Sequence, residues 1–226
     1  MQAVFKGKTK DVYQLDNGNY LLKFKDDVTG VDGQFDPGAN QVALSIEGIG
    51  KADLALSKHF FERLIADGIP THYIAADLEA GEMEVLPAKV FGQGVEVICR
   101  LRAVGSFIRR YGAYINTGDK LSEYVELTLK DDARQDPLIT KEGLEALGIM
   151  TADEYTEILE LTKKITRLLS SYLAEKDLEL YDIKYEFGRT EDGKIILIDE
   201  LSGGNMRVFK ASEPVEPMEL SRIICE

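Results

Sequence analysis

The 226-residue sequence predicts a mixed fold in which hairpin-linked strands combine with two amphipathic helices, arranged as one domain or as two lobes sharing a cleft. Three observations carry this. Turn residues Asp16-Asn17-Gly18 separate two short apolar runs near the N-terminus. Apolar residues recur at helical spacing through residues 52–66 and 152–176. The stretch 180–199 alternates polar and apolar residues and then folds back at Glu191-Asp192-Gly193.

In chain order, Val4–Lys6, Asp11–Leu15 and Tyr20–Phe24 read as strands of a hairpin or meander. Between the first two lies Lys6-Gly7-Lys8-Thr9-Lys10. Glycine lets the backbone approach an anion and lysines neutralise it, so this is a candidate phosphate-covering loop; a solvated basic turn accounts for the same residues equally well. From Lys25 to Gly50, glycines at 30, 33, 38, 48 and 50 predict a long loop-like stretch, of the kind that is functional or mobile. Ala52–Ala66 is predicted helical from Leu54, Leu56, Phe60, Phe61, Leu64 and Ile65, with Gly68 as its stop. His59 and His72 have no Cys, Ser or carboxylate at triad or metal-site spacing and read as structural.

Residues 71–102 read as strands broken at Gly81 and at Gly92-Gln93-Gly94. In Val95–Arg102, Val95, Val97 and Cys99 fall on one face and Glu96, Ile98, Arg100 and Arg102 on the other. Gly105-Ser106 then opens a helix. Two arginines delivered by a strand, next to backbone N–H groups and a hydroxyl, suit a phosphate monoester; an edge strand with a solvated charged face is the alternative. Tyr124–Leu129 reads as a strand, and the acidic residues of 130–137 serve equally as caps, turn formers or ligands. The helix at 152–176 carries a capping box in Thr151 and Glu154 and an apolar stripe of Ile158, Leu161, Ile165, Leu168, Leu169 and Leu173.

The strand Leu180–Gly188 points Asp182, Lys184 and Glu186 one way and Tyr181, Ile183, Tyr185 and Phe187 the other. Its hairpin partner, Lys194–Asp199, ends in a second carboxylate. Glu186 and Asp199 on paired strands are suited to share a divalent cation facing ATP phosphates, because magnesium needs only one or two carboxylates. Lys184 beside them would balance the charge of a transferring phosphoryl group. A salt-bridged, solvated sheet face reads the same pattern differently.

Forty acidic against 27 basic residues, a net charge of −13, argue against nonspecific nucleic-acid or membrane-surface binding. No apolar run is long enough to span a bilayer, and no secretory signal pattern is visible. Cys99 and Cys225 lack metal-ligand spacing and fit a reducing compartment.

In family order, Gly7-Lys8-Thr9-Lys10-Asp11-Val12-Tyr13, Val95 through Ser106, Leu180 through Gly188, and Asp199-Glu200-Leu201-Ser202 with Arg207 resemble the motifs of the phosphoribosylaminoimidazole-succinocarboxamide synthase (SAICAR synthetase) family. The resemblance implies an α+β fold related to kinases and ATP-grasp enzymes: a small antiparallel N-terminal lobe (1–87), a larger mixed α/β lobe (88–226), and ATP in the cleft. It implies condensation of carboxyaminoimidazole ribotide (CAIR) with L-aspartate, with ATP and Mg2+ as cofactors, in a cytoplasmic homodimer. It places Gly7, Lys8, Thr9 and Lys10 on ATP phosphates, Val12 and Leu22 at the adenine, Lys89 on the nucleotide, and Glu186 and Asp199 on magnesium. Arg100, Ser106 and Arg207 are implied for the imidazole nucleotide, with Lys184 near the reacting carboxylate and Asp32, Gly33, Lys130, Asp132 and Asp136 lining the remaining substrate space. Lys184, Arg207 and Lys10 are the implied catalytic set.

Three departures stand out: Gly203-Gly204-Asn205 in place of a Pro-Asp continuation after Ser202, no histidine before Asp136-Pro137, and Phe209 at a tryptophan position. The rival readings are a kinase, disfavoured by the lack of His-Arg-Asp and Asp-Phe-Gly motifs, and a noncatalytic nucleotide sensor, whose only support is the changed loop.

Overall fold

The structure is a computed structural model that describes residues 2–31, 33–38 and 41–226, without the side chains of Val31 and Gln34. The chain divides into two compact units.

The first comprises 1–88, 200–205 and 215–226. The turn predicted at Asp16-Asn17-Gly18 joins β2 (Lys10–Gln14) to β3 (Tyr20–Phe24), which pair with Val12 opposite Leu22. On the other side of β2, β1 (Gln2–Lys6) closes across the Gly7–Thr9 turn, where the Gly7 N–H donates to the Lys10 carbonyl at 2.8 Å. The stretch 25–50, expected to be loop-like, instead holds three short strands, β4 (Asp27–Val31), β5 (Gln34–Phe35) and β6 (Val42–Ser45). Val28 is buried opposite Leu44, and this pairing outweighs the glycine punctuation on which the loop reading rested.

Helix α1 (Ile49–Ala66) begins three residues before the predicted start because the Asp26 carboxylate accepts from the backbone N–H groups of Gly48 and Gly50, both at 3.0 Å. These are orphan donors of a helix N-terminus. β7 (Tyr73–Asp77) and β8 (Glu82–Val85) complete an antiparallel sheet of order β1-β2-β3-β8-β7, against which α1 packs Leu54, Phe60, Phe61 and Leu64. His72 is buried against the Phe61 ring, which gives it the structural role expected of it.

The second unit comprises 89–199 and 206–214. Its strands are β9 (Lys89–Val90), β10 (Val95–Arg102), β11 (Lys120–Leu129), β12 (Leu138–Ile139), β13 (Glu179–Arg189), β14 (Ile195–Ile198), β15 (Met206–Lys210) and β16 (Glu213–Pro214). The main path runs β12-β11-β10-β13-β15-β16, with β14 and β9 also pairing with β13. Helix α2 (Ser106–Tyr111) follows β10, and α3 (Lys141–Ala146) precedes α4 (Ala152–Ala174). Ile158, Ile165, Leu169 and Leu173 of α4 are buried with the apolar face of β13, each contributing about 1.5–3 kcal/mol. The last helix, α5 (Pro217–Cys225), belongs to the first unit and packs on α1. The expected division at 87/88 therefore meets a first unit that also takes residues 200–205 and 215–226, because apolar Leu220 and Ile224 on α5 find their burial there.

The capping box at α4 forms as predicted: Thr151 Oγ1 accepts from the Glu154 N–H at 3.2 Å and Glu154 Oε2 from the Thr151 N–H at 2.8 Å. Arg189 also binds the Glu154 carboxylate, and this pairing first, with the cap second, lowers the Glu154 pKa to about 2 from 4.5. A carboxylate with a depressed folded pKa stabilises above its unfolded value and loses that contribution as pH falls through the folded one. Glu154→Gln is therefore expected to lower the melting temperature at pH 7, and the gap from wild type should close between about pH 4.5 and 2 in a thermal-melt series. A gap independent of pH would refute the assignment.

Candidate active site

β13 lies between β10 and β15, and two antiparallel registers decide which charges meet. Against β10, Asp182 faces Arg100, Lys184 faces Ile98 and Glu186 faces Glu96; against β15, Asp182 faces Arg207. The polar face so formed is buried: relative exposure is 2% for Arg100 and Asp182, 5% for Glu126 and 7% for Glu186. A solvated salt-bridged face would show the opposite, so this alternative is set aside.

Around Arg100 the charges form one cluster. Its Nε and Nη2 donate to Glu126 Oε1 at 3.0 and 2.7 Å, Nη1 donates to Asp182 Oδ2 and to the Val104 carbonyl at 3.3 Å, and Nη2 also reaches Ser106 Oγ at 2.8 Å. All five guanidinium N–H groups thus go to acceptors of the protein. Arg100 fixes Ser106 and Asp182. Asp182 in turn accepts from Arg207 Nη1 at 2.8 and 3.1 Å, and the Arg207 side chain is one-fifth exposed. Gly105 is required here: its φ is +57°, and a Cβ would stand 2.8 Å from the Arg207 guanidinium. Arg110 supplies a further cation to Glu126.

Further along the same face lies a second cluster. Lys130 Nζ donates to Glu186 Oε1 at 2.7 Å, Lys184 Nζ to Glu96 Oε1 at 2.9 Å, and Thr128 Oγ1 to Glu96 Oε2 at 3.0 Å. Ile198, next to Asp199, pairs with Glu186, which brings the two carboxylates into electrostatic contact. Burial first, and then the Asp199 charge, push the Glu186 carboxyl up, while Lys130 and Lys184 oppose the shift. For Lys184, burial disfavours the charge, but Glu96, Glu186 and Asp199 together hold the ammonium well above the ordinary lysine range. Lys130 is raised in the same way, with Glu186 and Asp199 overcoming burial.

A buried Glu186 beside a half-buried Asp199, with ammonium groups to balance them, forms an oxygen donor set that fits a hard divalent cation. Among the described residues no group of three or more His, Cys, Asp or Glu could hold a metal, so the remaining positions around such an ion would fall to phosphate and water oxygens.

Of the other residues predicted for the site, Lys10 donates to Glu200 Oε1 at 2.6 Å and to Thr9 Oγ1 at 3.4 Å in the first unit, where Val12 and Leu22 are cross-strand neighbours. Lys8 and Gly33 are exposed, as is Lys89, which pairs with Arg189 of β13. Asp132 is exposed on a short 310 turn, whereas Asp136 Oδ1 accepts from the Asp131 N–H at 2.7 Å and acts as a turn former. Asp32 lies outside the described residues. Sequence reasoning gave no role to Asp182, Glu126, Glu96 or Thr128. Alternation along β13 was a usable signal for Asp182, since it shares a face with Lys184 and Glu186.

The unusual loop after Asp199 is a closed turn. Asn205 Oδ1 accepts from the Ser202 N–H at 2.9 Å, and its Nδ2 donates to the Glu200 carbonyl. At Gly203 a Cβ would stand 2.7 Å from Pro217 Cα, so no side chain fits.

A family model described as SAICAR synthetase matches residues 3–220. The phosphoribosylaminoimidazole-succinocarboxamide synthase of Clostridium tetani is 60% identical over 227 aligned residues, spanning 100% of both chains. A solved type-2 SAICAR synthetase in complex with ADP is 32% identical with a TM-score of 0.82, over 92% of this chain and 84% of that one. The phosphoribosylaminoimidazole-succinocarboxamide synthase of Ehrlichia chaffeensis has a TM-score of 0.85 at 25% identity, over 95% and 89% of the two chains.

Because Arg100 compensates two buried carboxylates, Arg100→Met is expected to cost about 3–5 kcal/mol in urea unfolding. Adding Asp182→Asn and Glu126→Gln should recover part of that loss. A single-variant cost below about 1 kcal/mol would mean that the cluster is solvated.

Proposed function

Since the chain belongs to the SAICAR synthetase family, we infer that it is the ATP-dependent ligase that condenses CAIR with L-aspartate to give SAICAR, ADP and phosphate in purine biosynthesis. The observation that carries this is 60% identity to a curated synthase from end to end. The buried face of paired cations and carboxylates described above is consistent with it.

A carboxylate is a poor acyl donor. In the proposed course, a carboxylate oxygen of CAIR attacks the γ-phosphorus of ATP, the bond to ADP breaks, and an acyl phosphate forms. The aspartate amine then attacks the acyl carbon, the C–O bond to phosphate breaks, and the nitrogen gives up a proton. Such a reaction asks the protein for positioning and charge rather than a nucleophile.

Roles for this chain's residues follow as proposals. Arg207 and Ser106 hold the ribotide phosphate; Arg100, implied by the resemblance as a third contact, has its five N–H groups engaged within the protein and instead orients Ser106 directly and Arg207 through Asp182. Lys184, kept charged by three carboxylates, stands near the reacting carboxylate and offsets charge as the phosphoryl group moves. Lys130 gives Glu186 a counter-charge, and Lys130, Asp132 and Asp136 are proposed as substrate contacts on the second unit; Gly33 and Asp32 are proposed as substrate contacts on family likeness alone. Gly7, Lys8, Thr9 and Lys10 contact the triphosphate, Val12 and Leu22 the adenine, and Lys89 the nucleotide. Glu186 and Asp199 would hold magnesium, which when bound neutralises phosphate charge. Their mutual repulsion, felt by Glu186, supports that assignment. A cytoplasmic, homodimeric enzyme is proposed on family likeness; among the described residues no helix is long and apolar enough to cross a membrane.

ADP release should require CAIR and aspartate together. Release with a hydroxyl acceptor in place of aspartate would point to a kinase, and tight ATP binding without release to a sensor. Lys184→Ala and Asp199→Asn are each expected to lower kcat by at least about 10²-fold with a folded circular dichroism spectrum retained. A double variant that still turns over would refute these site roles.

A further inference from the structure

In the first unit, both ends of Lys25 are fastened to the turn that carries Gly7 to Lys10. The Lys25 N–H donates to the Thr9 carbonyl at 2.9 Å, next to the pairing of Lys10 with Phe24. Its Nζ folds back across 18 positions of chain and donates to the Gly7 carbonyl at 2.7 Å. The Lys10 carbonyl accepts from the Gly7 N–H at 2.8 Å. The carbonyls of Gly7, Thr9 and Lys10 are thus all engaged by donors of the protein.

Lys25 is itself braced. Its ammonium lies 3.7 Å from Asp11 Oδ1 and 3.7 Å from Asp27 Oδ2, and Asp11 Oδ1 accepts no hydrogen bond among the described residues. Gly50 of α1 packs so close to its backbone that a Cβ there would stand 2.7 Å from the Lys25 carbonyl oxygen. The next residue, Asp26, caps that helix.

A carbonyl oxygen carries partial negative charge, so a turn that meets phosphate has to direct its carbonyls elsewhere. Folding a lysine onto its own chain costs rotamer freedom, and ion pairs with part-exposed carboxylates return little of it. The strand pairing from Lys10 to Gln14 forms without the Lys25 ammonium, so hairpin formation does not explain its placement.

We propose that Lys25 is a positioning residue for the reaction: it ties back the carbonyls of Gly7 and Thr9, so that the turn offers its lysines to the triphosphate. The ammonium acts through Gly7, and the fixed backbone acts through Thr9. The proposal rests on the reading of Gly7–Lys10 as a triphosphate contact and assigns what holds that turn in shape.

The test uses the full chain and two readouts. Steady-state ADP release with CAIR and aspartate gives KM for ATP, and amide exchange at Gly7 by NMR reports on the turn in the nucleotide-free protein. Lys25→Met keeps the stem and the backbone N–H but removes the ammonium. It is expected to raise KM for ATP about tenfold and to speed Gly7 exchange about tenfold, with KM for CAIR and aspartate within about twofold of wild type. Lys25→Arg, which keeps a cation and its donors, should stay within about threefold of wild type in both readouts. If Lys25→Met raises KM for ATP without altering Gly7 exchange, Lys25 meets the phosphate directly and the positioning role is overturned. That role is also overturned if Lys25→Met lowers only the melting temperature while Lys10→Ala impairs ATP use. If Lys8→Ala and Lys10→Ala together leave KM for ATP unchanged, the triphosphate reading of the turn falls, and this proposal with it. Should Lys25→Met not fold, Asp11→Asn takes its place, because it loosens the same ammonium. It should raise KM for ATP and Gly7 exchange about threefold each, and no change in either would overturn the proposal.

Discussion

Glu96 opposite Glu186 and Arg100 opposite Asp182 follow from one antiparallel register between β10 and β13, and much of the second unit makes that register tolerable. Two glutamates directly opposite each other on a buried face repel. Here each finds its own ammonium, Lys184 for Glu96 and Lys130 for Glu186, and a threonine hydroxyl takes the remaining Glu96 oxygen. A one-residue slip would turn every one of these side chains to the apolar face. Tyr181, Ile183, Tyr185 and Phe187, buried on the other side with α4, prevent that slip.

Buried charge is expensive, and the structure spends its cations accordingly. Taking an ion out of water costs several kcal/mol unless geometry and hydrogen bonds compensate. Arg100, with five donors in a rigid fork, satisfies Glu126, Asp182, Ser106 and Val104 at once; a lysine offers only three donors from a point charge. The result is a preorganised patch in which Arg207 is held by Asp182 and kept partly exposed. Local placement of cations, rather than the total charge of −13, sets the field at such a patch.

Much of this was legible beforehand. The capping box at Thr151 and Glu154, the alternation along β13 and the hairpin to β14 are short-range patterns, and each formed where it was predicted. The loop reading of 25–50 failed because β4 and β6 are too short for periodicity to register and owe their existence to pairing with each other. Glu126 escaped notice for a related reason. A single carboxylate within a strand looks solvated until its neighbours in space are known.

The sequence by itself determined the strand and helix periods, the polar face of β13 with Lys184 and Glu186, and the family likeness, because these depend on residues close together in the chain. Tertiary structure decided which charges meet. Arg100 and Asp182 are 82 positions apart, Lys130 and Glu186 are 56, and Lys10 and Glu200 are 190. No local rule connects such pairs. Strand register and the return of residues 200–205 to the first unit bring them together, and burial then makes each pairing obligatory.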